Sequence, residues 1–194
     1  MSCINLTDID HSLDCNKGAS GGIVPRVIFG YHEDVDTWPD EPKPDMTVPV
    51  EMEKMGALIG DVIMKPGKRA FFFDFTEDVG NFTIAPQGEK YAISFLSTLN
   101  ITKYGISKKL LGFQNAAANR KLFFIVEDEL GNRYLMGDMR RGAYFTGGDG
   151  NQTNSTFTEF NQSVMQFTYN SRRVFMYCGE TDELLQIATP TPTP

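Results

Sequence analysis

"EKYAISFLSTLNITKY", residues 89 to 104, carries the pattern on which the fold turns: Tyr91, Ile93, Phe95 and, further on, Leu99 and Ile101 recur at period two. Successive side chains of a strand point to opposite faces, so this spacing buries one face and leaves the other open. The stretch reads as a half-buried strand or strand pair. Composition agrees, because the chain holds 15 Phe and 7 Tyr, flat side chains that fill a pleated surface.

Further strand candidates lie on either side. Upstream are "RVIFGYH" (26–32), the apolar run "GALIGDVIM" (56–64) followed by a Pro-Gly turn, and the Phe-dense "RAFFFDFTED" (69–78). Downstream, "LFFIVEDE" and "RYLMGD" flank Gly131-Asn132, two residues that tolerate left-handed backbone, and so predict a hairpin. "GAYFTGG" is a short strand, and Gly147-Gly148 are expected to end it. "DGNQTNST" would then be a loop before Phe157, Val164, Phe167 and Tyr169 resume the sheet, with a break near Asn161. "RRVFMYCG" closes the apolar pattern. One segment departs from β character. In Ser107 to Lys121, Ser107 is a cap and Leu110, Leu111, Gln114, Ala117 and Ala118 share one helical face.

Residues 33 to 54, "EDVDTWPDEPKPDMTVPVEMEK", hold Pro39, Pro42, Pro44 and Pro49 among acidic side chains. Proline lacks the N–H a central strand needs, so the segment is expected to be a long exposed loop or arm. Deleting residues 35 to 50 should then leave the domain folded. Trp38, the single tryptophan, is a loop anchor on its own domain or an anchor for a neighbouring subunit. Trp38, Pro39, Pro42 and Pro44 are therefore candidate subunit contacts, together with the basic pair Arg140-Arg141. The alternating Thr-Pro stretch at 188–194 is an extended tail. The predicted architecture is mainly β: one domain over 1–187, a β-sandwich or small barrel with one flanking α-helix, the long Pro-rich arm and the tail.

The formal charge is −7 and the basic residues occur as isolated pairs, which argues against general nucleic-acid affinity. Three cysteines at irregular spacing (Cys3, Cys15, Cys178) do not build a disulfide framework, and two histidines without a CxxC pair do not build a zinc site. No basic and apolar leader and no membrane-length apolar run is visible, so a soluble, cytoplasmically made protein is expected, with its six Asn-x-Ser/Thr sequons unglycosylated.

The first candidate for chemistry is "FTGGDGNQTNSTFTEFNQS" (145–163). A phosphate loop of the Walker type needs a lysine reaching the β/γ-phosphates, and this stretch has none. Asp149, Asn151 and Asn154 supply one certain carboxylate, too few for a tight calcium loop. There is no GxSxG elbow, His11 and His32 have no nucleophile placed beside them, and Glu127, Asp128 and Glu129 read as solvated turn charge. The expectation is a non-enzyme without catalytic residues, cofactor or metal.

The order "LFFIVEDELGNRYLMGDMRRGAYFTGGDGNQTNSTFTEFNQSVMQFTYNS" resembles structural proteins of phages that infect Bacteroidetes gut bacteria. The resemblance runs through a hairpin with Asp128, Gly131, Leu135 and Gly137, then a strand with Gly142, Thr146 and Gly147. The opening Cys15 to Ile23 is also similar, and the likeness covers residues 12 to 178. The acidic arm and the Thr-Pro tail depart from it. It implies a tail-tube-like subunit of the virion: a hexameric ring of identical copies, stacked around a DNA channel, touching other virion proteins and letting DNA pass without sequence-specific binding. A head–tail connector ring or a capsid decoration protein is the structural alternative. A carbohydrate- or receptor-binding module, with Trp38 as its platform, is the alternative of another class.

Overall fold

The computed structural model describes residues 4–5, 21–43, 50–153, 155 and 159–187. Eight strands and one helix make up the body: β1 (Ile23–Tyr31), β2 (Phe71–Asp74), β3 (Asn81–Gln87), β4 (Ser94–Tyr104), α1 (Lys108–Ala117), β5 (Leu122–Asp128), β6 (Arg133–Met136), β7 (Tyr144–Gln152) and β8 (Gln162–Ser171). They form two four-stranded antiparallel sheets, in the orders β6-β5-β1-β2 and β7-β8-β4-β3. The protein is mainly β, with stacked antiparallel sheets and no closed barrel among the described residues.

The main core lies between the sheets. Val27, Phe124, Val126 and Met136 from the first meet Leu99, Ile101, Met165 and Phe167 from the second. Alternation in β4 and β8 sorts these residues: Ser97, Leu99 and Ile101 on one strand and Ser163, Met165, Phe167 and Tyr169 on the other are buried at every second position. Tyr91 and Ile93 depart from the sequence reading. They sit in the β3–β4 turn, 93% and 58% exposed, and Tyr91 adopts φ +71°. The period-two pattern runs on through a turn that breaks the strand.

β5 explains its own composition. Leu122, Phe124 and Val126 face the inter-sheet core, while Phe123 and Ile125 face the other way into a second cluster with Val35, Val62, Met64, Ala70, Tyr177 and Leu184. A strand covered on both faces reads as a continuous apolar run, as "LFFIV" does. The cover comes from residues 35–38, 58–70 and 177–184, so the first sheet is the middle of three layers. In its described part the expected arm is only partly exposed: Val35–Thr37 pairs with Ile63–Met64, Asp40 bridges to Ile59, and Val35 and Pro42 are buried, while Asp36, Asp40 and Glu41 face solvent. Short parallel pairing of Ile4–Asn5 with Val50–Glu51 is the remaining two-stranded piece among the described residues.

Helix α1 begins where predicted, the Ser107 hydroxyl accepting the Leu110 N–H at 3.2 Å. Its buried face is narrower than expected. Leu110 and Ala117 are buried, Leu111 is 39% exposed, and Phe113 does much of the packing. The Phe113 ring lies 5.0 Å from Phe29, 5.2 Å from Phe73 and 6.1 Å from Phe167, touching both sheets.

β7 corrects the glycine-rich reading. The strand does not end at Gly147-Gly148 but pairs with β8 as far as Gln152, through register shifts between Phe145 and Gly150. Gly148 has φ +109°, and a Cβ there would lie 2.5 Å from the Val164 carbonyl oxygen. Glycine is what permits that bulge against the neighbouring backbone.

Candidate functional site

A small cleft lies where β6, β8 and the arm converge, lined among others by Pro39, Glu41, Phe82, Tyr134, Asp138 and Tyr169. Its polar centre is Asp138, in the β6–β7 connection. One carboxylate oxygen accepts the Arg140 and Arg141 N–H groups at 2.6 and 2.8 Å, and the other accepts the Tyr169 hydroxyl at 2.8 Å. His32 Nε2 donates to the Asp138 carbonyl at 2.6 Å, and the Asp138 N–H donates to the Arg141 carbonyl at 2.8 Å. Burial, reinforced by the neighbouring Asp138, pushes the Tyr169 phenol far above its usual range, so it holds its proton at any ordinary pH. The free space is about 40 Å³, room for a water or a few, whereas sites for small organic ligands run to roughly 300–1,000 Å³. The constellation is a lock on residues 137–142.

Trp38 packs on its own chain. Its ring lies 4.8 Å from His32, tilted by 33°, and meets Phe123 edge-on at 5.9 Å. Gly137, at φ +149°, rests on the indole so closely that a Cβ would fall 3.2 Å from it. Pro39 is half-buried, Pro42 is buried, and Pro44 lies outside the described residues. The structure does not bring these together with Arg140 and Arg141 into one exposed patch: the arm folds down, and the two arginines stay in solvent at the top of the locked loop beside Met139, which is 72% exposed.

The other singled-out groups have structural partners. Glu127 pairs with Arg133 at 3.1 Å, and Asp128 accepts the Leu130 and Asn132 N–H groups of the hairpin turn. Asn151 donates to Gln114 at 2.8 Å, while Asn154, His11, Cys3 and Cys15 lie outside the described residues. Among the described residues no group of three or more His, Cys, Asp or Glu is arranged to hold a metal, Cys178 is an exposed free thiol, and no helix is long and apolar enough to cross a membrane.

Two surfaces escape a reading of the sequence. The first is the free edge of the middle sheet, β2, where Phe71 and Phe72 are 41% and 52% exposed with Arg69 and Arg26 over their rings. The second is the outer face of the β7-β8-β4-β3 sheet. Its central rows are Asn81, Asn100 and Gln166, linked by amide hydrogen bonds of 2.7 and 3.0 Å, and Thr83, Thr98 and Thr168 in register. These rows carry no ionised side chain. The Phe run hints at the edge; the amide and hydroxyl rows become one face only through the strand register.

No family model, curated protein or solved structure matches the chain.

Proposed function

We propose that the protein is a structural subunit of a phage particle, a tail-tube subunit whose copies assemble into rings stacked around a DNA channel. The observation that carries the assembly reading is the apolar β2 edge. Phe71 and Phe72 flank backbone groups that no described strand of the same chain covers, which is the usual template for pairing with another copy. The exposed Tyr91 and Ile93 at the β3–β4 turn add a second protruding apolar element. The amide and hydroxyl rows support the channel: without ammonium or guanidinium groups they lack the cations that retain phosphates, and DNA passes over them with only weak neutral contacts. The loop locked by Asp138 supplies a fixed contact surface, as an assembly role asks. Trp38, half-buried against His32 and Phe123, packs as an anchor on its own chain, which favours assembly over the glycan-binding alternative.

Electron microscopy and sedimentation of the purified full chain test the reading. Stacked rings or hollow tubes are expected. Single rings would point to a head–tail connector instead, and a chain that stays monomeric at high concentration would overturn the assembly reading.

A further inference from the structure

We infer that copies of this chain dock head to tail through opposite charges at the two ends of the middle sheet. The inference deepens the assembly reading and rests on it. The polarity is written into one hairpin. β5 is preceded by Arg120-Lys121 and ends on Asp128, with Glu129 next, and β6 leads from the turn to the loop carrying Arg140 and Arg141. Antiparallel pairing of Leu135 with Ile125 and Met136 with Phe124 returns β6 toward the start of β5. The bridge between Leu122 and Ala143 sets the two basic pairs side by side, with Gly142 against Lys121. The four cations therefore share one end of the hairpin.

The opposite end collects acid. Asp128 and Glu129 lie at the turn, and the C-terminal segment joins them there, since the Arg133 guanidinium donates to the Gly179 carbonyl at 2.9 Å. Next in the chain, Glu180 donates its N–H to Asp61 at 2.9 Å, adding two exposed carboxylates. Seven residues of β5 separate the ends by roughly 20 Å, so they do not neutralise each other within one copy at physiological salt.

Three observations make this a docking arrangement. Among the described residues Arg120, Lys121, Arg140 and Arg141 form no ion pair, in a chain whose net charge is −7. The loop is pre-organised, because all four polar groups of Asp138 are engaged, so presenting the arginines needs little ordering. Each end also carries an exposed apolar tip, Met139 at the basic end and Leu130 at the acidic one. Docked end to end, the basic patch of one copy meets the acidic patch of the next, whereas hairpins laid antiparallel across a two-fold axis would stop at a dimer and overturn the head-to-tail arrangement. End-to-end docking makes a heterologous contact that propagates from copy to copy, and its occupant is the acidic end of the next subunit.

A charge-swap experiment tests this. Variant one carries Arg140→Glu and Arg141→Glu, and variant two carries Glu129→Lys and Glu180→Lys. All these side chains are exposed, and circular dichroism verifies that each variant folds. By sedimentation velocity in about 50 mM salt, each variant alone should need more than about tenfold higher concentration than the wild type to assemble, because each swap cancels the net charge of one end. An equimolar mixture should form heterodimers, variant two's intact basic end against variant one's intact acidic end, and about 1 M salt should weaken wild-type assembly. Wild-type assembly with both variants unaffected would overturn the charge docking and leave the assembly reading standing. A mixture that forms no heterodimer would also overturn it. A wild type that never leaves the monomer would remove the assembly reading itself.

Discussion

Gly148 and Gly112 show how one residue type serves opposite ends. Gly148 sits at φ +109° in the β7 bulge with the Val164 carbonyl behind it, whereas Gly112 lies inside helix α1 and an added methyl there would meet nothing within 4 Å. Alanine at 148 combines a disfavoured dihedral with a backbone collision and should cost on the order of 1–3 kcal/mol. Alanine at 112 removes glycine's entropic penalty and should stabilise by about 1 kcal/mol. Urea unfolding of the two variants should shift the midpoint in opposite directions. Tyr169 makes the corresponding argument for polar groups. Its hydroxyl bonds the Asp138 carboxylate, so Tyr169→Phe should cost about 1.5–3 kcal/mol near pH 7. The sign of its pH dependence follows from the raised phenol. An unfolded tyrosine loses its proton near pH 10 while folded Tyr169 keeps it, so the contribution is whole below about pH 10 and declines above it. The stability gap between wild type and Tyr169→Phe should shrink between about pH 9 and 11; a constant gap would contradict the assignment.

At the scale of elements, helix α1 is held by one residue that its own periodicity understates. Phe113 falls outside the Leu110, Leu111, Gln114 stripe, yet its ring touches Phe29 and Phe73 of one sheet and Phe167 of the other. Phe113→Ala should cost about 3 kcal/mol, while Leu111→Ala, 39% exposed, should change stability by less than about 1 kcal/mol; thermal melts of both variants check the contrast. The same reason governs what can be read in the sequence. The Ser107 cap, the Gly131 hairpin and the alternation at Leu99 and Ile101 are local signals, and the structure has them in place. β3 does not stand out in the sequence because "NFTIAPQ" puts a proline on an edge strand, where a missing N–H is harmless. β7 reads too short because its bulges interrupt the period-two pattern. Tyr91 and Ile93 read as strand because left-handed backbone at Gly88 and Tyr91 has no signature in hydrophobic spacing. For the candidate surfaces, the Arg140-Arg141 pair is legible, but its lock by Asp138 joins residues far apart in the chain.

The whole molecule is three layers deep, and that reverses the expectation for the arm. Seen as sequence, residues 35 to 50 are acidic and proline-rich and should be dispensable to folding. In the structure their described part covers the outer side of the middle sheet: Val35 joins the cluster around Phe123 and Ile125, and Trp38 packs on Phe123 and supports Gly137. Proline does not bar burial; it bars only central hydrogen bonding, and Pro42 is buried without being in a ladder. Removing the segment exposes apolar area on β5 that the inter-sheet core cannot absorb, because Phe123 and Ile125 point away from it. The contact with His32 and Gly137 goes as well, loosening the loop that presents Arg140 and Arg141. We therefore expect a chain lacking residues 35 to 50 to lose its cooperative thermal transition, and Trp38→Ala to melt several degrees below the wild type, at a cost of about 3 kcal/mol. Far-ultraviolet circular dichroism followed through a melt distinguishes the outcomes. A deletion variant that melts as sharply and as high as the wild type would show that two layers suffice and return the arm to a role in assembly alone.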